Sequence, residues 1–489
     1  MNPITMKADS RSPERRVWSR HLVFRLVCLA GVTALSGHVG LAAQETSYEE
    51  EGGTFGDGTR YLIRVPSNWN GVLVRDLDYV TGANRERYLA FLERGYAVSG
   101  TARHERRWVG GYDPAREIER IEMVHDVFIA RFREPEWVLQ YGCSGGGRVG
   151  TALAEDPGRV DGVVAGGTAP IVWVGNSELD KWFVLKALLA PELPIVNLPK
   201  SQGLRPEYPD LTFAWRQVFN EAQRTPEGRA RIALAVTIGQ FPDWVDLRLT
   251  KPDRSNVAEL QQSMYQSTLR VADRIGGVSR FMLETSSSFG ARSYQYSWND
   301  GVDYKEFFDN GSEYNKRAVR QLYEEAGVEL EADLEKVNAF PRISADPEGI
   351  EYWGAAGRIA VGQPRIPVIR WHDIGDEQIL ASNVQGYMEL VRKNGKEDLV
   401  RTVYTELPTH CGFTVAESIA VLETMMHRLE TGSWGSTDPE HLNQLARSIE
   451  DGSVARFISV NDQYKVRKYN RTWVPNWVGQ SGPSNGREN

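Results

Sequence analysis

The chain of 489 residues predicts an α/β fold, a mainly parallel sheet with helices on both faces and one large insertion. Three observations predict it. Between residues 60 and 154, apolar runs of strand length alternate with amphipathic runs of helix length, and such alternation builds parallel sheets. A glycine-rich turn, Gly142-Cys143-Ser144-Gly145-Gly146, joins a β-branched and aromatic run to a small-residue helix. After residues 170–360, where the rhythm breaks, two more strand-like runs appear at 366–371 and 400–407.

Taken in order, the first elements are a strand over 61–65, a turn through Pro66-Ser67-Asn68-Trp69-Asn70-Gly71, and a strand over 72–74. Pro, Ser, Asn and Gly favour that turn, each supplying backbone angles or local hydrogen bonds that a strand cannot. A helix over 84–94, a strand over 96–100 and a helix over 114–132 follow, then a strand over 136–141 and a helix over 148–154. Right-handed crossovers between such strands bring the residues that follow each strand to one carboxyl edge. Residues 170–360 carry apolar helical runs at 182–189 and 213–222 and an aromatic group, Phe289, Tyr294, Tyr296, Trp298, Tyr304, Phe307 and Phe308. They read as a lid whose aromatics either hold an aromatic acyl group or pack on one another. Asp300, Asp303, Asp309 and Glu313 lack the spacing of a complete EF-hand loop, so no metal is expected there. A helix over 415–429 closes the sheet. The expected divisions are an export segment at 1–43, core at 44–169, insertion at 170–360, core again at 361–435 and a polar tail at 436–489.

A 41% apolar and 10% aromatic composition suffices for a packed core, and a net charge of −8 argues against a nucleic-acid partner. The basic run at Arg103, His104, Arg106 and Arg107 includes Glu105 and reads as a solvated loop. Residues 1–43 have the signature of a signal peptide: arginines, an apolar stretch, and Gly40-Leu41-Ala42-Ala43 before an acidic start. Glycines and polar residues interrupt that stretch, and no later apolar run is long enough to span a bilayer. A secreted or periplasmic protein without stable membrane insertion is therefore expected.

A strand, a sharp glycine turn and a helix are what a nucleophile elbow requires, because the strained serine brings backbone segments too close for side chains. Ser144 is the candidate nucleophile. A serine hydroxyl is weakly nucleophilic until a base takes its proton and an acid orients that base. Histidines after the elbow are His372, His410, His427 and His441. His427 lies in a helical stretch and His441 in a polar run, whereas His372 ends a buried strand. His410 follows a strand within a Pro/Thr/Gly loop and is the expected base. For the acid, Asp376 is preferred because Gly375 lets the chain turn at the strand end. Asp373 competes, and Glu377 is a third choice. Negative charge on a tetrahedral oxygen needs N–H donors. Gly145 is expected to supply one and the loop near Asp78 the other.

The chain holds three cysteines, Cys28, Cys143 and Cys411. Export would remove Cys28. The other two directly precede Ser144 and directly follow His410, so bringing serine to histidine would place the cysteines within the roughly 4.4–6.8 Å Cα separation of a disulfide. Two buried free thiols are the competing reading, and a zinc site is disfavoured because adjacent His-Cys is poor ligand spacing.

In this order, Cys-Ser, Asp and His-Cys make the chain resemble the tannase and feruloyl esterase family of α/β-hydrolases. The stretch 141–148 and the run Asp161-Gly162-Val163-Val164-Ala165-Gly166-Gly167 are similar to that family's elbow and next strand, although Gly145 stands where the family usually has threonine. The resemblance implies Ser144 as nucleophile, Asp376 as acid, His410 as base and a Cys143–Cys411 bridge, acting without a cofactor on a carboxylic ester drawn from a small molecule or polymer. Two other readings compete with an esterase: a serine peptidase, since the same triad cleaves amides, and a non-catalytic binding protein on the same fold.

Overall fold

The computed structural model describes residues 47–103, 113–196, 198, 209–275, 286–287, 293–449, 452–460 and 466–478. The expected export segment, Cys28, His104, Arg106, Arg107 and Phe289 lie outside the described residues. The strands are β1 (Tyr48–Thr54), β2 (Arg60–Pro66), β3 (Val72–Asp76), β4 (Ala97–Thr101), β5 (Trp137–Cys143), β6 (Gly162–Gly166), the small pair β7 (Ser286–Ser287) and β8 (Ser293–Tyr294), β9 (Val368–Asp373), β10 (Val400–Thr405) and β11 (Phe457–Ile458). Nine form one sheet in the order β1-β2-β4-β3-β5-β6-β9-β10-β11. From β4 to β10 every neighbouring pair is parallel, and antiparallel strands β1, β2 and β11 close the edges. This is the α/β-hydrolase architecture.

The helices are α1 (Tyr79–Gly82), α2 (Glu86–Glu93), α3 (Pro114–Arg131), α4 (Gly145–Glu155), α5 (Ile171–Leu189), α6 (Pro209–Ala222), α7 (Pro226–Ile238), α8 (Val257–Ala272), α9 (Tyr304–Asp309), α10 (Glu313–Ala326), α11 (Leu330–Ala339), α12 (Pro347–Trp353), α13 (Ala381–Lys393), α14 (Val415–Thr431) and α15 (Pro439–Ile449). Side chains alternate across the sheet, as the pleat demands. Val72, Val74, Val98, Leu139, Tyr141, Val164, Ile369 and Trp371 bury one face with Phe91 of α2 and Ile419, Leu422 and Met425 of α14. Val163, Ala165 and Val368 turn the other way, toward Ile121 of α3, Val149 and Leu153 of α4 and Val391 of α13. Both faces are covered, which is why the central strands carry almost no exposed polar residue.

The insertion is a helical body with its own core. In α5, residues 171–185 are buried without exception, and α7 is buried from Ile232 to Ile238; Trp182, Phe183, Trp215, Phe219, Val319 and Leu334 fill the space between neighbours. Tyr304, Phe307 and Phe308 join that core, with Tyr304 stacked on Phe183 at a centroid distance of 5.2 Å. Tyr296 is fully buried against Trp353. These four rings pack within the protein and are not displayed toward a substrate.

The expected polar tail is structured in part. Leu442 and Ala446 dock α15 into the sheet-side core, and Phe457 adds β11 to the edge of β10. Residues 466–478 then join insertion and core. Tyr469 donates to the Trp173 carbonyl at 3.0 Å, the Trp173 indole donates to the Trp473 carbonyl at 2.7 Å, and Arg471 donates to both oxygens of Asp180 at 3.0 and 3.2 Å. These partners lie some 300 residues apart in sequence, so composition alone reads the segment as tail.

Asp180 and Arg471 are both buried. Arg471→Met should lower the unfolding free energy by about 3–5 kcal/mol, since it leaves a buried carboxylate uncompensated. The Asp180→Asn/Arg471→Met double variant should recover part of that loss in urea denaturation.

Candidate active site

Ser144 lies between β5 and α4 with φ 59° and ψ −117°, a left-handed conformation that a residue with a Cβ rarely adopts. The surroundings enforce it. The Ser144 N–H donates to the Gly166 carbonyl of β6 at 2.9 Å. A Cβ at Gly142 would approach the Gly146 carbonyl carbon to 2.7 Å, and one at Gly147 would approach the Gly166 carbonyl oxygen to 2.6 Å. The turn therefore closes only with glycine at these positions.

The loops after β9 and β10 are hydrogen-bonded to each other. Ile374 N–H donates to the Thr405 carbonyl at 2.9 Å, and Gly375 N–H to the Leu407 carbonyl at 2.8 Å. A Cβ at Gly375 would meet the Pro408 Cα at 2.7 Å, so glycine serves here for close approach and not for a positive φ. This contact brings Asp376 to His410, whose Nδ1 is 2.6 Å from Asp376 Oδ2. Asp376 Oδ1 accepts from the Gln378 and Ile379 amides at 2.8 and 3.0 Å. Burial alone would raise the Asp376 carboxyl, but the His410 ring and these donors hold it below the ordinary carboxylate value. His410 Nε2 is buried and has no hydrogen-bond partner among the described residues.

Asp373, the rival acid, does not touch His410. Its Oδ1 accepts from Thr405 Oγ1 at 2.6 Å and its Oδ2 from the Gly412 N–H at 2.8 Å. Burial pushes this carboxyl up to about 7. Glu377, the third choice, is also engaged elsewhere, accepting from Arg274 at 2.6 Å and Arg270 at 3.3 Å. His372 is buried in β9 and pushed down to about 4 by desolvation, so it is neutral. His427 and His441 are exposed.

Cys143 and Cys411 form a disulfide with a Cα separation of 6.1 Å. It joins the residue before Ser144 to the residue after His410. A Cβ at Gly167 would lie 2.9 Å from Cys143 Sγ and 3.3 Å from His410 Cε1, so bridge and imidazole share one glycine-lined niche. The far side of the bridge is held as firmly. Phe413 stacks on Trp371 at 3.6 Å between centroids, and Arg456, gripped by Glu417, donates to the Gly412 carbonyl at 3.0 Å. Arg456 went unread in the sequence, lying 44 residues beyond Gly412, and so did Glu417, whose one local signal was the Thr414-x-x-Glu417 capping box that opens α14.

The second oxyanion assignment needs correction. The Asp78 N–H donates to Asp76 Oδ1 at 3.0 Å, so it is committed inside its own turn. The Asp78 carboxylate instead holds Arg103, with Nε to Oδ1 at 2.7 Å and Nη2 to Oδ2 at 2.6 Å. Arg103 thus belongs to the site's edge and not to a solvated loop. Gly145 opens α4 beside it, where a Cβ would meet the Arg103 guanidinium. A solvent-open cleft lined by Trp244, Lys251, Arg254 and Tyr314 reaches Gly375 and Asp376, and neither Ser144 nor His410 lines it. Among the described residues, no group of His, Cys, Asp and Glu is arranged to hold a metal, and no helix is long and apolar enough to cross a membrane.

Comparison with known proteins places the chain near hydrolases. An o-phthalyl amidase from Xanthobacter agilis is 45% identical over 453 residues, which span 88% of this chain and 98% of the amidase. Among solved structures, the chain is similar to feruloyl esterase B from Aspergillus oryzae, with 15% identity, coverage of 79% and 82% of the two chains and a TM-score of 0.36. It is also similar to tannin acyl hydrolase from Aspergillus niger, with 13% identity, coverage of 80% and 85% and a TM-score of 0.38. No family model matches the sequence.

Two outcomes follow from the geometry. The Cys143→Ser/Cys411→Ser variant releases a loop of 268 residues and should lose up to about 5 kcal/mol of stability in guanidinium unfolding. Because burial raises Asp373 from 3.8 to about 7, the folded state favours its protonated form. The linked stability is fully present below about pH 4 and is lost as pH rises toward 7. In melting temperatures measured from about pH 4 to 8, the wild type should lose stability relative to Asp373→Asn across that window.

Proposed function

The chain belongs to the same family as the o-phthalyl amidase of Xanthobacter agilis, and on that premise we propose that it is a serine hydrolase of carboxylic esters and amides, acting through Ser144, His410 and Asp376. The observation that carries the reading is the 2.6 Å bond between His410 Nδ1 and buried Asp376. It fixes the imidazole with Nε2 as the working nitrogen, on a loop bridged to the nucleophile's turn.

In the first step Nε2 takes the Ser144 proton while Oγ attacks the carbonyl carbon. The imidazolium is stabilised by the ionised Asp376, and the oxyanion by the Gly145 N–H at the start of α4. The protonated Nε2 then gives its proton to the departing alcohol or amine, and water releases the acid by the same sequence in reverse roles. Amides demand that proton donation more than esters do, because an amine anion is a poor leaving group. The 45% identical relative is an amidase, which favours an amide substrate over the ester that the Cys-Ser and His-Cys pattern suggested. Its o-phthalyl name supports an aromatic acyl group. The disulfide fits an oxidising compartment and supports export directed by residues 1–43.

A panel of matched p-nitrophenyl esters, acyl p-nitroanilides and aminoacyl p-nitroanilides should show turnover of the acyl anilides, with the aminoacyl set inert. Ser144→Ala should reduce kcat by about 10⁴- to 10⁶-fold. A fluorophosphonate probe should label the wild type at Ser144 alone, and an unlabelled, inactive wild type would leave a binding protein as the better reading.

A further inference from the structure

Two consecutive buried carboxylates just past β9 take different partners. Asp376 reaches His410 of the core, whereas Glu377 reaches the helical insertion. The Glu377 side chain is 1% exposed, and its Oε1 accepts from Arg274 Nη1 at 2.6 Å and from Arg270 Nε at 3.3 Å. Arg270 is half exposed and Arg274 is nearly buried, so the Arg274 contact is the stronger of the two. The Glu377 backbone is held as well, since its carbonyl accepts from Lys181 Nζ at 2.8 Å. Lys181 is fully buried on α5, one helical turn past Ser177, whose Oγ accepts from Asn383 Nδ2 of α13 at 3.0 Å. One face of α5 therefore grips both ends of the stretch 377–383. Between those ends lie the Gln378 and Ile379 amides that donate to Asp376 Oδ1.

We propose that Glu377 is a positioning residue for the hydrolysis: by pairing with Arg274 it fixes the turn that aims Asp376 at His410, which makes the helical insertion a working part of the acid–base machinery. The proposal rests on the reading of Ser144, His410 and Asp376 as the triad. Hydrogen bonds from this turn to the core, made by the Ile374 and Gly375 N–H groups, enter before Asp376. Those to the insertion, at Glu377 and Asn383, enter after it. Asp376 is thus set between two anchors, and releasing the second lets its carboxylate swing about the first. A bond of 2.6 Å tolerates little of that motion, and a misplacement of about 1 Å costs on the order of 100-fold in rate. An amine leaving group asks most of the alignment, because it departs only on receiving the proton of an imidazolium that Asp376 stabilises, whereas p-nitrophenolate leaves without one.

The test measures turnover of an acyl p-nitroanilide and its matched p-nitrophenyl ester by Glu377→Ala, Glu377→Gln and Arg274→Gln, with rates normalised to the sites that a fluorophosphonate titrates to completion. Glu377→Ala and Arg274→Gln should lower kcat for the anilide by about 100-fold with KM little changed. The ester should lose at least about 10-fold less. Glu377→Gln keeps an oxygen for Arg274 and should recover most of the activity. The proton shared by His410 Nδ1 and Asp376 gives a second readout. It should resonate far downfield of the amide protons in proton NMR, vanish in Asp376→Asn, move upfield or disappear in Glu377→Ala and persist in Glu377→Gln. An unchanged anilide kcat in both Glu377→Ala and Arg274→Gln overturns the proposal. Equal losses on both substrates with the downfield proton retained also overturn it, by assigning Glu377 to the fold alone. If Glu377→Ala does not fold, Arg274→Gln decides by the same two readouts. A wild type that the fluorophosphonate does not label rejects Ser144 as nucleophile, and the downfield proton in the variants still decides whether Glu377 aims Asp376 at His410.

Discussion

The covalent joining of Cys143 to Cys411 is the constraint on which the arrangement of this site depends. Parallel strands deliver β5, β6, β9 and β10 to one edge in adjacent order, but adjacency sets loop positions only to within several ångströms. The bridge removes that slack between the residue before the serine and the residue after the histidine. Both of its ends are stiff. Ser144 and Cys411 adopt left-handed backbone conformations, and the stacked Trp371–Phe413 pair sits behind the bridge. Strain of this kind persists only where the surroundings over-determine it, and here the glycines of the elbow and the Asp373–Gly412 bond supply that over-determination.

Two aspartates three residues apart are driven in opposite directions by their partners. Asp376 faces an imidazole and two backbone amides and is held ionised. Asp373 is buried with a hydroxyl and one amide, and desolvation dominates. Only the first can stabilise an imidazolium. The second ties β9 to the His410 loop through Gly412, so it orders that loop without a hydrogen bond to the imidazole.

The helical insertion is more than a cover. Lys181 of α5, fully buried, donates to Glu178 at 2.5 Å and to the Glu377 carbonyl at 2.8 Å, while Arg274, just past α8, holds the Glu377 carboxylate. Glu377 directly follows Asp376. The insertion therefore grips the loop that carries Asp376 through its neighbour Glu377, and the C-terminal contacts of Tyr469 and Arg471 add a second hold on α5.

Local patterning determined a good deal of this protein by itself. The alternation of strand and helix runs, the elbow around Ser144, the loop position of His410 and the placing of the cysteines beside both were all readable, because each depends on residues close together in the chain. The choice between Asp376 and Asp373 was open in sequence, since both follow one strand end, and was decided by which carboxylate the loop contact at Gly375 turns toward the imidazole. Asp78 was misread for a related reason. Its N–H is consumed by Asp76 and its carboxylate by Arg103, and such partnerships form only when separate strands bring distant side chains together. The inward packing of Tyr304, Phe307 and Phe308, and the tail's union with α5, likewise follow from the burial of apolar surface and the pairing of buried charge, which act between segments that sequence spacing does not relate.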